Sequence, residues 1–354
     1  MKKILQNKFL NKMCVRIVSA IVPIKSVRKN LRSKLINCLL SALKDELGKK
    51  YPDYYQFAMF QPWGDFYIPC ALLEEFKKRN SNAKILAVCV NENQRQVLQS
   101  FKAIDKVIKI DSAEYYALFS INSAQKCVQK LAIGKLYCLS HWLFADAVNN
   151  KSVNFLELYA KMLGLKYPIS LSAPSFSLKL KQDYSNTILI YPETRSFTDR
   201  ELSEFFWIEL AQELKSTGYD ILFNTKKDAY GPFKTIFLPM MTLIQIAKQC
   251  ECVIGIRSGF SDILAINKIK NHIVIYPKSP YFKTITKEQQ EREFSRAFIM
   301  DEKRTFEENM YRITSLNMFN GLTTEFRLTD TELLKQRVKD YVFNLKHKDI
   351  EEVW

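Results

Sequence analysis

Four places in this 354-residue chain carry residue types that can do chemistry. The first is Gly64-Asp65, directly after an apolar stretch at 55–60. A carboxylate in a turn between strand and helix can take a proton from a hydroxyl as a general base. The competing reading is an N-cap, which Asp favours, because residues 66–79 have a helical period. The second place is Thr194-Arg195-Ser196, with Arg200 as a further cation. Hydroxyls and a guanidinium at a helix entrance suit a phosphate, through free N–H groups and a bidentate fork; the alternative is a turn plus a capped helix. The third is Arg257-Ser258-Gly259-Phe260-Ser261-Asp262. Gly255 and Gly259 permit a tight turn, and Gly259 permits close approach of the backbone to a ligand. The N–H groups around Ser258 to Ser261 then suit a diphosphate. Asp262 would repel one, a conflict removed if it pairs with Arg257 or caps the helix. The fourth is His141, after an apolar stretch at 135–139, read either as an acceptor-side or catalytic group or as a structural histidine. His272 opens an apolar run and reads as structural.

Several chemistries are excluded. No glycine-rich dinucleotide fingerprint follows an apolar run, and no P-loop string occurs. The three histidines, at 141, 272 and 347, form no ligand cluster, so no metal site and no resident cofactor are expected. The eight cysteines include no C-x-x-C pair, and several lie inside apolar runs, as reduced thiols do. No apolar stretch is long enough to span a membrane.

The elements that must position these residues alternate. Residues 55–60, 84–90, 106–110 and 135–139 read as strands, with helices at 68–79, 92–101, 123–132 and 154–163 between and after them. A break rich in Pro and Ser at 166–186 reads as a connection. The rhythm then restarts, with strands at 187–191, 219–224, 235–238, 252–255 and 272–276 and helices at 201–216, 240–250 and 260–266. Continuous apolar runs mark buried parallel strands, and the alternation implies parallel sheets with helices on both faces. The expected organisation is an arm at 1–50, a first doubly wound domain at 51–165, the connection, a second doubly wound domain at 187–280 and a helical segment at 281–354. The last helix, beginning near 331, is expected to cross back toward the first domain. Ligands of such sheets bind beyond the carboxyl ends of the strands, where all four places fall.

The net charge of +16 is unevenly spread: residues 1–50 hold 13 Lys and Arg against 2 Asp and Glu. The body is therefore not a nucleic-acid-binding surface. Within the arm, apolar or small residues recur from Ile24 through Val27, Leu31, Leu35, Cys38 and Ala42, while Lys25, Arg28, Lys29, Arg32 and Lys34 take the remaining arc. Such a basic amphipathic helix suits an anionic membrane surface, reached through residues 1–45; the alternative is an ordinary helix packed on the body.

Gly64-Asp65, the helix ending Glu74-Glu75-Phe76-Lys77-Lys78-Arg79-Asn80, and the stretch Ile104-Asp105-Lys106-Val107-Ile108 resemble the N-terminal half of the heptosyltransferases. Their C-terminal half is similar in outline to Tyr191-Pro192, Thr194-Arg195, Gly218-Tyr219-Asp220-Ile221, Val253-Ile254-Gly255 and Ser258-Gly259. The likeness covers about residues 55–280 and is carried by order and spacing. It implies a GT-B fold, two Rossmann-like doubly wound domains facing across a cleft. It implies a metal-independent, inverting glycosyltransferase that moves a sugar from a nucleotide-diphosphate donor to a cell-surface glycan or lipid-linked acceptor at the cytoplasmic face of the inner membrane. Asp65 would be the base, and Thr194, Arg195, Ser258, Gly259 and Phe260 would meet the donor. The family has Asp-Thr-Gly where this chain has Arg257-Ser258-Gly259, and Arg200 is the nearest cation to the family's first-loop Lys. The rivals are a sugar-nucleotide epimerase on the same scaffold and a non-catalytic sugar-nucleotide-binding protein.

Overall fold

The computed structural model describes residues 48–59, 63–81, 83–109, 136–138, 151–194, 202–278, 286–319 and 322–351. The basic arm, the helix expected at 123–132, His141, Arg195 and Arg200 lie outside them, apart from the last few arm residues.

Two parallel sheets form. In the first, β1 (Tyr54–Ala58), β2 (Lys84–Cys89), β3 (Lys106–Lys109) and β4 (Leu136–Cys138) take the order β3-β2-β1-β4. In the second, β5 (Thr187–Tyr191), β6 (Asp220–Asn224), β7 (Lys234–Ile236), β8 (Cys252–Ile256), β9 (His272–Tyr276) and β10 (Thr323–Arg327) take the order β10-β9-β8-β5-β6-β7. Every described pairing is parallel, so the strand ends within each sheet share one edge. Strands β5, β8 and β9 are buried at all five positions, as their unbroken apolar runs require. Strand β9 does not close the second sheet, because β10 extends it from a segment expected to be helical. As an edge strand, β10 mixes Thr, Glu and Arg with one Phe, which hides it from a search for apolar runs.

The helices are α1 (Trp63–Arg79), α2 (Glu92–Gln99), α3 (Phe155–Met162), α4 (Glu204–Ser216), α5 (Met240–Gln249), α6 (Gly259–Ile266), α7 (Lys287–Ala297), α8 (Phe306–Thr314) and α9 (Thr331–Glu351). Helix α1 buries Phe66, Tyr67, Ile68, Cys70, Ala71, Leu72, Leu73 and Phe76, so it is enclosed on more than one side. Its enclosure comes from both halves of the molecule. Met240 and Ile244 of α5 and Ile263 and Ile266 of α6 join the same apolar core as α1 and α2. A buried hydrogen bond of 2.6 Å from Asn267 Nδ2 to the Tyr67 hydroxyl crosses the same contact.

A second bridge joins the halves. Phe155 and Leu158 of α3 pack with Phe294, Phe298, Met310 and Ile313 from α7, α8 and the residue after α7. The last helix was expected to make this return; its described side chains pack inside the second half instead. Leu334, Val338 and Val342 of α9, spaced four apart, share a core with Phe206, Leu210 and Leu214 of α4 inside the second half. Cys70, Cys89, Cys250 and Cys252 are free and buried. Burial pushes the Cys89 thiol up to about 11 and Cys250 up to about 12, which suits packing rather than reactivity.

Candidate active site

Helix α1 starts at Trp63, so Asp65 stands in its first turn rather than at the N-cap. A carboxylate there still favours the positive helix end, while Lys77, Lys78 and Arg79 favour the other end. Pro69 has no N–H to give the Asp65 carbonyl four residues back, which loosens the ladder where the side chain must be placed. The half-buried Asp65 carboxylate accepts a hydrogen bond of 3.2 Å from the hydroxyl of Tyr159, a buried residue of α3. Nothing in the sequence points to Tyr159, because 94 residues separate the pair.

The loop after β8 is built from inside. Ser258 caps α6, its N–H donates 3.0 Å to Ser261 Oγ, and the Ser261 N–H donates 3.0 Å to the Ser258 carbonyl. Beneath it the Tyr191 hydroxyl lies 3.2 Å from Ser261 Oγ and 2.7 Å from His272 Nε2. His272 is fully buried, as its place in an apolar run implied, and Nδ1 lies 3.4 Å from Thr323 Oγ1. Burial, and then the Arg257 charge, push His272 down to about 3, so it is neutral near pH 7. Gly255 is required here: a Cβ would run into the Tyr191 ring.

Arg257 is 6% exposed and its guanidinium is occupied. It donates 2.6 Å to Asp262 Oδ1, 2.6 Å to the Ser258 carbonyl and 3.1 Å to the Thr314 carbonyl. Burial works against its charge, but Asp262 and its other partners outweigh that and hold it ionised. The Arg257–Asp262 pairing, one of the two resolutions the sequence offered, is thus the one formed.

The two places meet. A Cβ on Gly259 would lie 2.7 Å from the Gly64 nitrogen, and one on Gly64 would lie 2.9 Å from Gly259 Cα and 2.7 Å from Asp262 Oδ2. Only glycines allow these two helix starts to touch. The close approach that Gly259 permits is therefore made by the backbone beside Asp65. Phe260 is half-buried and packs edge-on to Tyr191 at 5.2 Å. Thr194, half-buried, follows β5 on the same sheet edge. Beside it Lys227 pairs with Glu193 at 3.0 Å and Glu204 at 2.8 Å, a contact the sequence reading missed. Among the described residues no group of His, Cys, Asp and Glu could hold a metal ion, and no helix is long and apolar enough to cross a membrane.

No protein-family model matches the chain, and no curated protein does. Solved structures do. ADP-heptose lipopolysaccharide heptosyltransferase II of E. coli matches with a TM-score of 0.53 at 12% identity, over 83% of this chain and 99% of that one. E. coli heptosyltransferase WaaC with ADP matches at 0.50 and 13% identity, over 80% and 98%. A glycosyl transferase family 9 protein of Veillonella parvula matches at 0.50 and 14% identity, over 85% and 98%. The chain therefore has the fold of these heptosyltransferases, as its order of motifs implied.

Proposed function

We propose that this chain is a glycosyltransferase, transferring a sugar from a nucleotide-diphosphate donor to a glycan or lipid-linked acceptor with inversion and without a metal. The observation that carries the reading is the Gly64–Gly259 contact. It sets the candidate base directly beside the candidate diphosphate loop, as a single displacement needs. The fold neighbours support it, one of them described with ADP.

On this reading Asp65 takes the proton of the acceptor hydroxyl as its oxygen bonds to the anomeric carbon. The bond from that carbon to the diphosphate breaks, and negative charge grows on the leaving group. The Gly259 and Phe260 N–H groups at the start of α6 would meet that charge, since those of Ser258 and Ser261 are used within the loop, with Thr194, Arg195 and Arg200 as further candidates; such stabilisation is commonly the largest catalytic contribution. The donor would lie in a cleft between the halves, beside the α1–α6 contact. Tyr159 would orient the Asp65 carboxylate. Arg257 would act on the donor only by holding the loop. His141 would be the next candidate for proton transfer. The basic arm would hold the enzyme on the anionic cytoplasmic face of the inner membrane, for assembly of a cell-surface glycan such as lipopolysaccharide or capsule. Removing residues 1–45 should then release it from anionic vesicles and leave turnover on soluble acceptors unchanged.

A panel of nucleotide sugars, assayed for consumption and for release of nucleoside diphosphate, tests the reading. Turnover of one donor in the presence of glycan acceptors is expected. Binding without turnover across the panel would favour the non-catalytic sugar-nucleotide-binding reading. Conversion of the sugar without transfer would favour the epimerase.

A further inference from the structure

Tyr191 of β5 and His272 of β9 carry polar groups deep into the second sheet, and both are buried. Strand β8 lies between their strands. Gly255 is the β8 partner of Tyr191, and its missing Cβ is what lets the ring lie across it. In this way the hydroxyl of one strand reaches the imidazole two strands away.

The direction of the hydrogen bonds follows from counting protons. Ser261 Oγ has one proton and donates it to the Ile256 carbonyl at 3.2 Å. Toward the Ser258 N–H and the Tyr191 hydroxyl, Ser261 Oγ is therefore the acceptor. That uses the Tyr191 proton, so the Tyr191 oxygen accepts at 2.7 Å from His272 Nε2. Burial, and then the Arg257 charge, keep the ring neutral, so it has a single proton to place. With that proton on Nε2, Nδ1 keeps a lone pair, which the Thr323 hydroxyl meets at 3.4 Å. Thr323 opens β10 and pairs with His272 along the strand. Bonds pointing one way thus run from the edge strand β10 through β9 and β5 into α6. Apolar residues at 191 and 272 would need no partners. What the polar groups add is a fixed place for Ser261 Oγ, and through it for the Ser258 N–H. The Gly259 and Phe260 N–H groups lie between those two points. We infer that His272 is a positioning residue, protonated on Nε2, which acts through Tyr191 and Ser261 to aim the start of α6 at the donor diphosphate. The ligand of the loop rests on the glycosyltransferase reading; the chain of bonds and its direction do not.

Heteronuclear NMR of the full chain with isotope-labelled histidine reads the tautomer, and hydrogen exchange reads the Ser258 N–H. His272 is expected to be protonated on Nε2 alone, and protonation on Nδ1 alone would overturn the inference. Tyr191→Phe keeps the ring over Gly255 and removes only the hydroxyl. It should speed Ser258 exchange at least tenfold with exchange in β6 unchanged. It should also weaken at least fivefold the tightest-bound of ADP, GDP, UDP and CDP. His272→Gln offers an amide N–H in place of Nε2–H and should stay within twofold on both counts, whereas His272→Leu offers none and should match Tyr191→Phe. Unchanged Ser258 exchange or unchanged affinity in Tyr191→Phe, or equal losses in the Gln and Leu variants, would each overturn the inference. If the unaltered chain binds none of the four nucleotides, the Nε2 tautomer with faster Ser258 exchange in Tyr191→Phe would keep His272 as the residue that positions the loop and remove the donor reading.

Discussion

Two arginines stand at the carboxyl ends of strands in the same sheet, and they differ in every respect that matters for a ligand. Arg257, after β8, is buried and its guanidinium bonds to Asp262, Ser258 and Thr314. Arg327, at the end of β10, is exposed and rests on Tyr311, with no side-chain hydrogen bond or ion pair to a described residue. From sequence, Arg257 is the stronger phosphate candidate, because it leads a Ser-Gly string into a helix. The fold makes it a brace. A cation at a strand end is available to a ligand only if no carboxylate is buried with it, and Asp262, five residues on, is such a carboxylate.

The largest way to break this comparison is by truncation. Arg257→Ala leaves Asp262 buried without its main partner and should cost about 3–5 kcal/mol in chemical denaturation. Arg327→Ala should stay within about 0.5 kcal/mol, the usual range for a surface position. Equal costs would mean that the two sites are not different in kind.

Next comes the contact that Arg257 and Asp262 brace. Gly259→Ala pushes a methyl to 2.7 Å from the Gly64 nitrogen, where backbone meets backbone. Overpacking of this kind should cost about 1–3 kcal/mol. The same substitution at Gly164, at positive φ in open space, would act through backbone strain alone and should not change diphosphate binding. If Gly259→Ala is silent in both stability and turnover, the α1–α6 contact does not set the site.

The smallest effect tests the layer under the loop. His272 is held neutral in the fold down to about 3, against an unfolded value near 6.5. Between these values the unfolded chain binds the extra proton, so stability falls as pH falls. The contribution from His272 alone should be a loss of about 1.5 kcal/mol between pH 6.5 and 5. His272→Gln should flatten that part of the stability profile; an unchanged slope would place the proton elsewhere.

Much of the scaffold was legible because burial on both faces writes an unbroken apolar run, as at β5, β8 and β9. Strand β10 was not, because an edge strand need not be apolar. The start of α1 is earlier than the helical period shows, with Pro69 inside it, and of the two readings of Asp65 the N-cap gives way to a first-turn position. Gly259 announced a close approach, but a lone glycine does not say whether a ligand or another helix makes it. Tyr159 and Gly64 are joined to their partners only by the tertiary fold, across 94 and about 195 residues of chain.

The most direct test of the account is turnover of the nucleotide-sugar donor by Asp65→Asn beside the unaltered chain. The substitution keeps the size of the side chain and its place beside the Tyr159 hydroxyl, and removes its basicity. Turnover should fall by about 10²–10⁴, the usual contribution of a general base, with nucleoside-diphosphate affinity and thermal stability unchanged. An Asp65→Asn protein that turns over as the unaltered chain does would contradict the account.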